Sequence, residues 1–231
     1  MGLIDKLKKK KTDHMYLYTD KELDEYEKYI EETFGNYQEV FHEIVSTDIH
    51  LDIIIVLPTN EQPYYKLITM GMGAYQMNVP DKLKQYELER AELVLYLPAT
   101  WDINSSQEED YWPIRQLKIL ARLPIEYHTW LGYGHTVSSD EENTPYANNT
   151  QFCSMMLVDV YDKEGHDLDL RMKTKGKINF YQLFPLYQEE LEFKQKHNTE
   201  TLLDLFDDED MIPIINIHRK NYGVKIEKSY L

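Results

Sequence analysis

The chain has 231 residues, 41 of them acidic and 25 basic, for a net charge of −16. That length supports one large domain or two small ones without staples, and the charge excludes a nucleic-acid binder, which needs a basic face. With one cysteine, Cys153, no disulfide framework and no cysteine-based zinc site forms within the chain.

Residues 1–19 read as a basic, poorly ordered arm, and residues 20–231 as a single domain. Met1 to Lys11 carries five lysines but lacks the apolar core of a secretory signal. No segment is long and apolar enough to span a membrane, so the expected location is the cytoplasm. Thr19-Asp20 opens a helix in which Leu23, Tyr26, Ile30 and Phe34 recur at helical spacing, and Gly35-Asn36 closes it. Val40 to Val45 reads as a first strand. Two apolar runs follow, His50 to Pro58 and Tyr64 to Gly73, joined by a turn from Thr59 to Pro63; they predict a buried β-hairpin that ends in a Gly-Met-Gly corner.

Leu83, Tyr86 and Leu88 suggest a short helix, and Ala91 to Leu97 a buried strand closed by Pro98. Residues 99–111 form a polar loop. Pro113 suits the first turn of a helix carrying Ile114, Leu117, Ile119, Leu120 and Leu123, with Pro124 as its end. Ile125 to Leu131 adds another helical turn or two, stopped by Gly132. Residues 138–150 read as a long polar loop, the kind of segment that often binds. Phe152 to Val160, Asp167 to Met172 and Lys177 to Tyr181, separated by turns, predict an antiparallel meander. Pro185 is read as opening a helix, Thr199 as capping another, and the acidic run Asp207 to Asp210 as lying in a loop before a last strand, Met211 to Ile217. The fold class that results is α/β (mixed α+β): one domain with a mixed, largely antiparallel sheet flanked by helices.

Chemistry is sparse. Gly71-Met72-Gly73 is followed by Gln76 where a dinucleotide fingerprint needs a third glycine, and no P-loop lysine follows; a tight corner explains it better. No nucleophile elbow and no His-Glu-x-x-His occurs. A zinc set from His50, Asp52, His128 and His135 is conceivable from its side chains alone. Asp162 to Asp167 fails the calcium-loop pattern and reads as a hairpin turn. Cys153, in an apolar run, reads as a buried inert thiol. The pairs Glu141-Glu142 and Glu189-Glu190 read as solvated charge. The 19 tyrosines suit either strands or partner surfaces.

Four stretches taken in order resemble the suppressor of fused domain family in its bacterial single-domain form: His50 to Pro58; Tyr64 to Gly73; Glu92 to Pro98 with Trp101, Trp112-Pro113-Ile114, Leu117 and Leu120-Ala121-Arg122; and Gly134-His135-Thr136 with Ile178 to Tyr187 and Glu189-Glu190-Leu191. The resemblance implies a mixed α/β domain whose work is protein binding, and bacterial forms similar to immunity proteins or antitoxins. The family's Asp-x-x-Arg end motif is met only loosely, by Asn216 to Arg219. The expected role is therefore a non-catalytic module that binds and neutralises a toxin, for instance a basic nuclease, with no cofactor and no metal. The alternatives are a regulatory or scaffold module with a non-toxin partner, and a metal-dependent enzyme using His50, Asp52 and His135. Expected contact residues are Trp101, Glu108, Glu109, Asp110, Tyr111, Trp112, Asp140, Glu141 and Glu142. His50, Asp52, Thr69, Gly71, Gly73, Pro113, His135 and Pro185 are expected to define the fold.

Overall fold

Alternation along the central strands sorts the apolar side chains into two sets, one for each face of a sheet. The computed structural model describes residues 15–43, 46, 48–206 and 214–224. Helix α1, Asp20–Thr33, starts where Thr19 N–H donates to the Glu22 carboxylate at 2.8 Å and ends before Gly35, whose φ of +113° turns the chain away. The hairpin forms as expected: β2, Asp52–Val56, pairs antiparallel with β3, Tyr64–Met70, in the register Ile54↔Ile68. Strand β1, Glu39–Phe41, adds to the outer edge of β2, and β4, Ala91–Pro98, to β3.

Ala91 to Val94 of β4 then run parallel to Asn179 to Gln182 of the long strand β8, Gly176–Leu186. Antiparallel to β8 lies β6, Ser154–Asp159, and beyond it β5, Thr136–Ser138. The sheet order is β1-β2-β3-β4-β8-β6-β5, with β7, Asp169–Met172, on the first residues of β8. One face packs Ile53, Ile55, Leu67, Leu93 and Leu95 against Trp112, Leu117 and Leu120 of α2, Glu108–Tyr127. The other packs Ile54, Ile68, Val94, Ile178 and Phe180 against Tyr26, Ile30 and Phe34 of α1 and its end. Strands covered on both faces need no polar side, hence the unbroken apolar runs in β2 and β4. A smaller cluster, Met156, Phe184, Leu186, Leu202, Phe206 and Tyr222, sits by α3, Gln188–Lys196, and α4, Thr199–Leu203.

Several expectations need correction. Helix α2 begins at Glu108, so Pro113 lies inside it. The Glu109 carbonyl, which Pro113 has no N–H to bond, is taken by Asn149 Nδ2 at 2.9 Å. The helix also runs through Pro124 and stops only at His128, whose φ is +50°. Pro185 belongs to β8 and opens no helix. The neighbouring Leu186 carbonyl faces β6, where it accepts from Cys153 N–H at 3.0 Å. Pro185 therefore faces the opposite edge, which β4 has already left, and its missing N–H costs the ladder nothing. Strands β6 and β7 do not form a meander; they lie end to end along β8, with residues 160–168 looping out between them. Helix α4 is capped by Asn198, whose Oδ1 accepts from Thr201 N–H at 2.7 Å, with Thr199 as its first residue. Of the expected arm, residues 1–14 lie outside the described residues, but Tyr16 bridges to Ile49 and Tyr18 is buried. The acidic run 207–210 also lies outside, as do 211–213; the rest of the expected last strand makes one parallel bridge, Ile214 to Tyr96.

Candidate partner-binding surface

Apart from Trp101, which precedes α2, the expected contact residues fall on two elements that are bonded to each other. Glu108, Glu109 and Asp110 form the first turn of α2, where negative charge favours the helix dipole. Glu108 pairs with Arg115, which also donates to the Tyr146 carbonyl at 3.1 Å. With Asn149 on the Glu109 carbonyl, these contacts fix the 139–150 loop against α2. Within that loop Asp140 Oδ1 accepts the N–H groups of Glu142 at 2.9 Å and Thr144 at 3.0 Å. The Thr144 bond leads the causes that hold the Asp140 carboxyl below its ordinary range. Glu141 and Glu142 are exposed beside it. Six carboxylates thus stand on one joined scaffold.

The aromatic members divide. Trp112 has no exposure and stacks on Tyr146 at 5.3 Å with an interplanar angle of 6°, so it is core and leaves the list of contact residues. Trp101 lies edge-on to it at 6.3 Å, half-buried, and donates Nε1–H to the Asp110 carbonyl at 2.9 Å. The Tyr111 hydroxyl accepts from Lys118 Nζ at 3.0 Å, leaving the ring partly exposed.

Beside the loop opens a cleft of about 630 Å³ lined by Glu142, Cys153, Tyr187, Glu189, Arg219 and Asn221 among others. Arg219 pairs beneath it with the fully buried Glu190, its two terminal guanidinium nitrogens each 2.6 Å from one carboxylate oxygen. Glu190 also accepts the N–H groups of Tyr187 and Tyr222, each at 3.0 Å. Arg219 reaches the Pro185 carbonyl at 2.7 Å and is ringed by Phe152, Phe184, Tyr187 and Phe206 at 4.8–5.4 Å. The sequence reading placed Glu190 with the solvated charges. Its position as the third residue of α3 after Tyr187, a capping arrangement, was the signal available. Because Arg219 is neutralised internally, Glu142 and Glu189 set the sign of the cleft. Burial first, then Glu189 and Asp140, pushes the Cys153 thiol up to about 11, in line with an inert thiol.

The Gly-Met-Gly corner does cradle an acid group, the Glu92 carboxyl supplied by the chain itself. Glu92 Oε1 accepts from Gly71 N–H at 3.0 Å, Gly73 N–H at 2.9 Å and Tyr18 OH at 2.8 Å, and Oε2 from the Thr69 hydroxyl at 2.6 Å. Gly71 has φ +129°, and a Cβ there would lie 1.9 Å from the His50 carbonyl oxygen. The zinc set imagined from sequence does not assemble. Asp52 has His42 and His50 as its imidazole neighbours. His135 packs edge-on to Trp130 at 4.3 Å, and burial lowers its pKa. His128 ends α2.

Residues 47–220 match the family described as Suppressor of fused protein (SUFU). The Ureaplasma parvum protein UU111 is 26% identical over 210 residues, 90% of this chain and 98% of that one. Among solved structures, a SUFU homologue from Neisseria gonorrhoeae FA 1090 superposes with a TM-score of 0.61 at 16% identity, covering 86% of this chain and 95% of that chain. The Sufu–Fu complex gives a TM-score of 0.62 at 12% identity, over 90% of this chain and 92% of that chain. Drosophila Suppressor of Fused gives 0.53 at 12% identity, over 78% of this chain and 44% of that one.

Proposed function

The chain belongs to the suppressor of fused protein family, a family of protein-interaction domains, and from that membership we propose that it is a non-catalytic binding module acting as an immunity protein, which occupies and neutralises a toxin with a basic surface. The observation that carries this reading is the acidic scaffold of α2 and the 139–150 loop, in which Glu108, Glu109, Asp110, Asp140, Glu141 and Glu142 are held together by the Asn149–Glu109 and Arg115–Tyr146 bonds. A nuclease grips phosphate with lysine and arginine, so an acidic face can cover that grip and be steered to it. Trp101 and Tyr111 supply aromatic contact at the edge of the same scaffold. Among the described residues no helix is long and apolar enough to cross a membrane, and the cytoplasm is the proposed compartment.

The test is a tagged pull-down from the source organism at low and high salt, followed by co-expression with the recovered protein. The expected result is one basic partner that is toxic alone, tolerated with this chain, and released by salt. A non-toxic partner would instead favour a regulatory or scaffold role, the reading supported by a family member solved as the Sufu–Fu complex.

A further inference from the structure

Three buried side-chain polar atoms have no hydrogen-bond partner among the described residues: Trp112 Nε1, the Tyr146 hydroxyl and Arg219 Nε. All three belong to residues around Phe152. The Trp112 ring lies 6.4 Å from that of Phe152, the Arg219 guanidinium 4.9 Å from it, and Tyr146 N–H donates to the Phe152 carbonyl at 2.9 Å. Arg219 keeps both terminal nitrogens on Glu190. Trp112 and Tyr146 have no such compensation. They face each other across one seam, Trp112 on α2 and Tyr146 on the 139–150 loop, with rings stacked at 5.3 Å. Trp112 is fully buried and Tyr146 is 5% exposed. Closing this seam strips water from an indole N–H and a phenol O–H and gives neither an acceptor. That cost offsets a large part of what burying the tyrosine ring gains. Native structures rarely keep such groups without a reason.

We propose that the loop of residues 139–150 is a strap that swings off α2 in the folded protein, taking Tyr146 from Trp112 into water and parting the two halves of the acidic face. Its attachments are few. Between Ser138 and Ser154 no helix or strand forms. Among the described residues two side-chain bonds tie the loop to α2: Arg115 to the Tyr146 carbonyl at 3.1 Å, and Asn149 Nδ2 to the Glu109 carbonyl at 2.9 Å. The base of the loop is firm. Ser139 N–H donates to the Cys153 carbonyl at 2.7 Å, and Cys153 N–H to the Leu186 carbonyl of β8 at 3.0 Å. The turn inside the loop holds itself, because Asp140 Oδ1 accepts from Glu142 and Thr144 and the Ser139 hydroxyl donates to the Thr144 carbonyl at 2.6 Å. Opening therefore breaks the Tyr146 contacts and leaves the turn intact. Asp140, Glu141 and Glu142 then move as one group away from Glu108, Glu109 and Asp110. The effect on a partner rests on the acidic face as the docking surface; the motion of the strap does not.

The experiment measures amide hydrogen exchange by NMR on the full chain as wild type, Y146F and N149A under one set of conditions. The amide at position 146, bonded to Phe152, reports the strap, and that of Cys153, bonded to β8, reports the sheet. In the wild type the amide at 146 should be protected roughly tenfold less, or weaker still, than that of Cys153. Y146F removes the stranded hydroxyl and keeps the ring, so exchange at 146 should slow by about tenfold; N149A removes one tie and should speed it by about fivefold. Neither should change Cys153, nor the Glu142 and Thr144 amides, whose bonds lie within the turn. Exchange at 146 that is unchanged or faster in Y146F would mean that the hydroxyl has an acceptor in the closed seam, and would overturn the strap. Equal protection at 146 and Cys153, or parallel changes at both across the variants, would overturn it too, since the loop would then open only as the whole fold unravels. These readouts need no partner, so they judge the strap whether or not the acidic face docks one.

Discussion

Glu92 sits in a run of apolar strand residues, and nothing beside it in the chain names its partners. What distinguishes it is three-dimensional: the glycine corner of another strand end, Thr69 and Tyr18 all converge on one carboxylate. Burial outweighs those bonds and lifts the Glu92 pKa from 4.5 to about 7. Between those values the folded chain holds a proton that the unfolded chain has released, so stability falls as pH rises through that window and levels off above it. The loss is on the order of 3 kcal/mol. Urea unfolding of wild type and E92Q at pH 5 and pH 8 should show their difference shifting by about that amount; a constant difference would mean that Glu92 ionises in the fold as it does outside it. G71A should cost about 3 kcal/mol or more in the same assay, because a left-handed φ and a Cβ pressed onto the His50 carbonyl act together. Arg219 makes a complementary case. R219M strands a fully buried Glu190 and should cost about 3–5 kcal/mol, whereas R219M combined with E190L should recover much of that loss. If both variants lose equally, the carboxylate matters less than the aromatic ring around the guanidinium.

Elements were legible wherever their determinants were local. The hairpin could be read because β-branched runs, a Pro-bounded turn and a glycine corner all lie within two dozen residues, and α1 because its cap and its apolar spacing are contiguous. The start of α2 was not, since Pro113 obeys the rule for a first helical turn while the group that allows it deeper inside, Asn149, lies 40 residues from the Glu109 carbonyl it bonds. Pro185 misled for the same reason: its tolerance in β8 depends on where β4 ends, which no local pattern encodes. The α2 explanation is testable by a double-mutant cycle. N149A should destabilise the wild type by about 1 kcal/mol, because it leaves the Glu109 carbonyl without its partner. In a P113A background the residue at 113 regains an N–H for that carbonyl, so N149A should cost close to nothing. Additive effects in thermal unfolding would show that Asn149 holds the loop by some other contact.

At the scale of the molecule, the acidic stretches could be listed from sequence, but their union could not. Glu108 to Asp110 and Asp140 to Glu142 are some thirty positions apart, and only the bonds between loop and helix make them one face. Aromatic contacts were half visible: Trp101 and Tyr111 keep exposed surface, whereas Trp112 was drawn into the core by Tyr146, which its own neighbourhood does not announce. A net charge of −16 repels itself in a compact fold and attracts a basic partner, and salt acts on the two effects with opposite sign. Raising sodium chloride shortens the Debye length to about 10 Å at 0.1 M, so the isolated chain should melt a few degrees higher while its association with a basic partner slows by roughly tenfold or more. Glu141 and Glu142 are the residues to reverse, because both are exposed and neither carries the turn bonds that Asp140 makes. E141K with E142K should leave the melting temperature almost unchanged, cut the association rate and flatten its salt dependence, with the dissociation rate less affected. Stopped-flow association at several salt concentrations reads all of this directly. An unchanged association rate would move the contact to another face, since a steered partner cannot ignore the inversion of two charges on the surface it approaches.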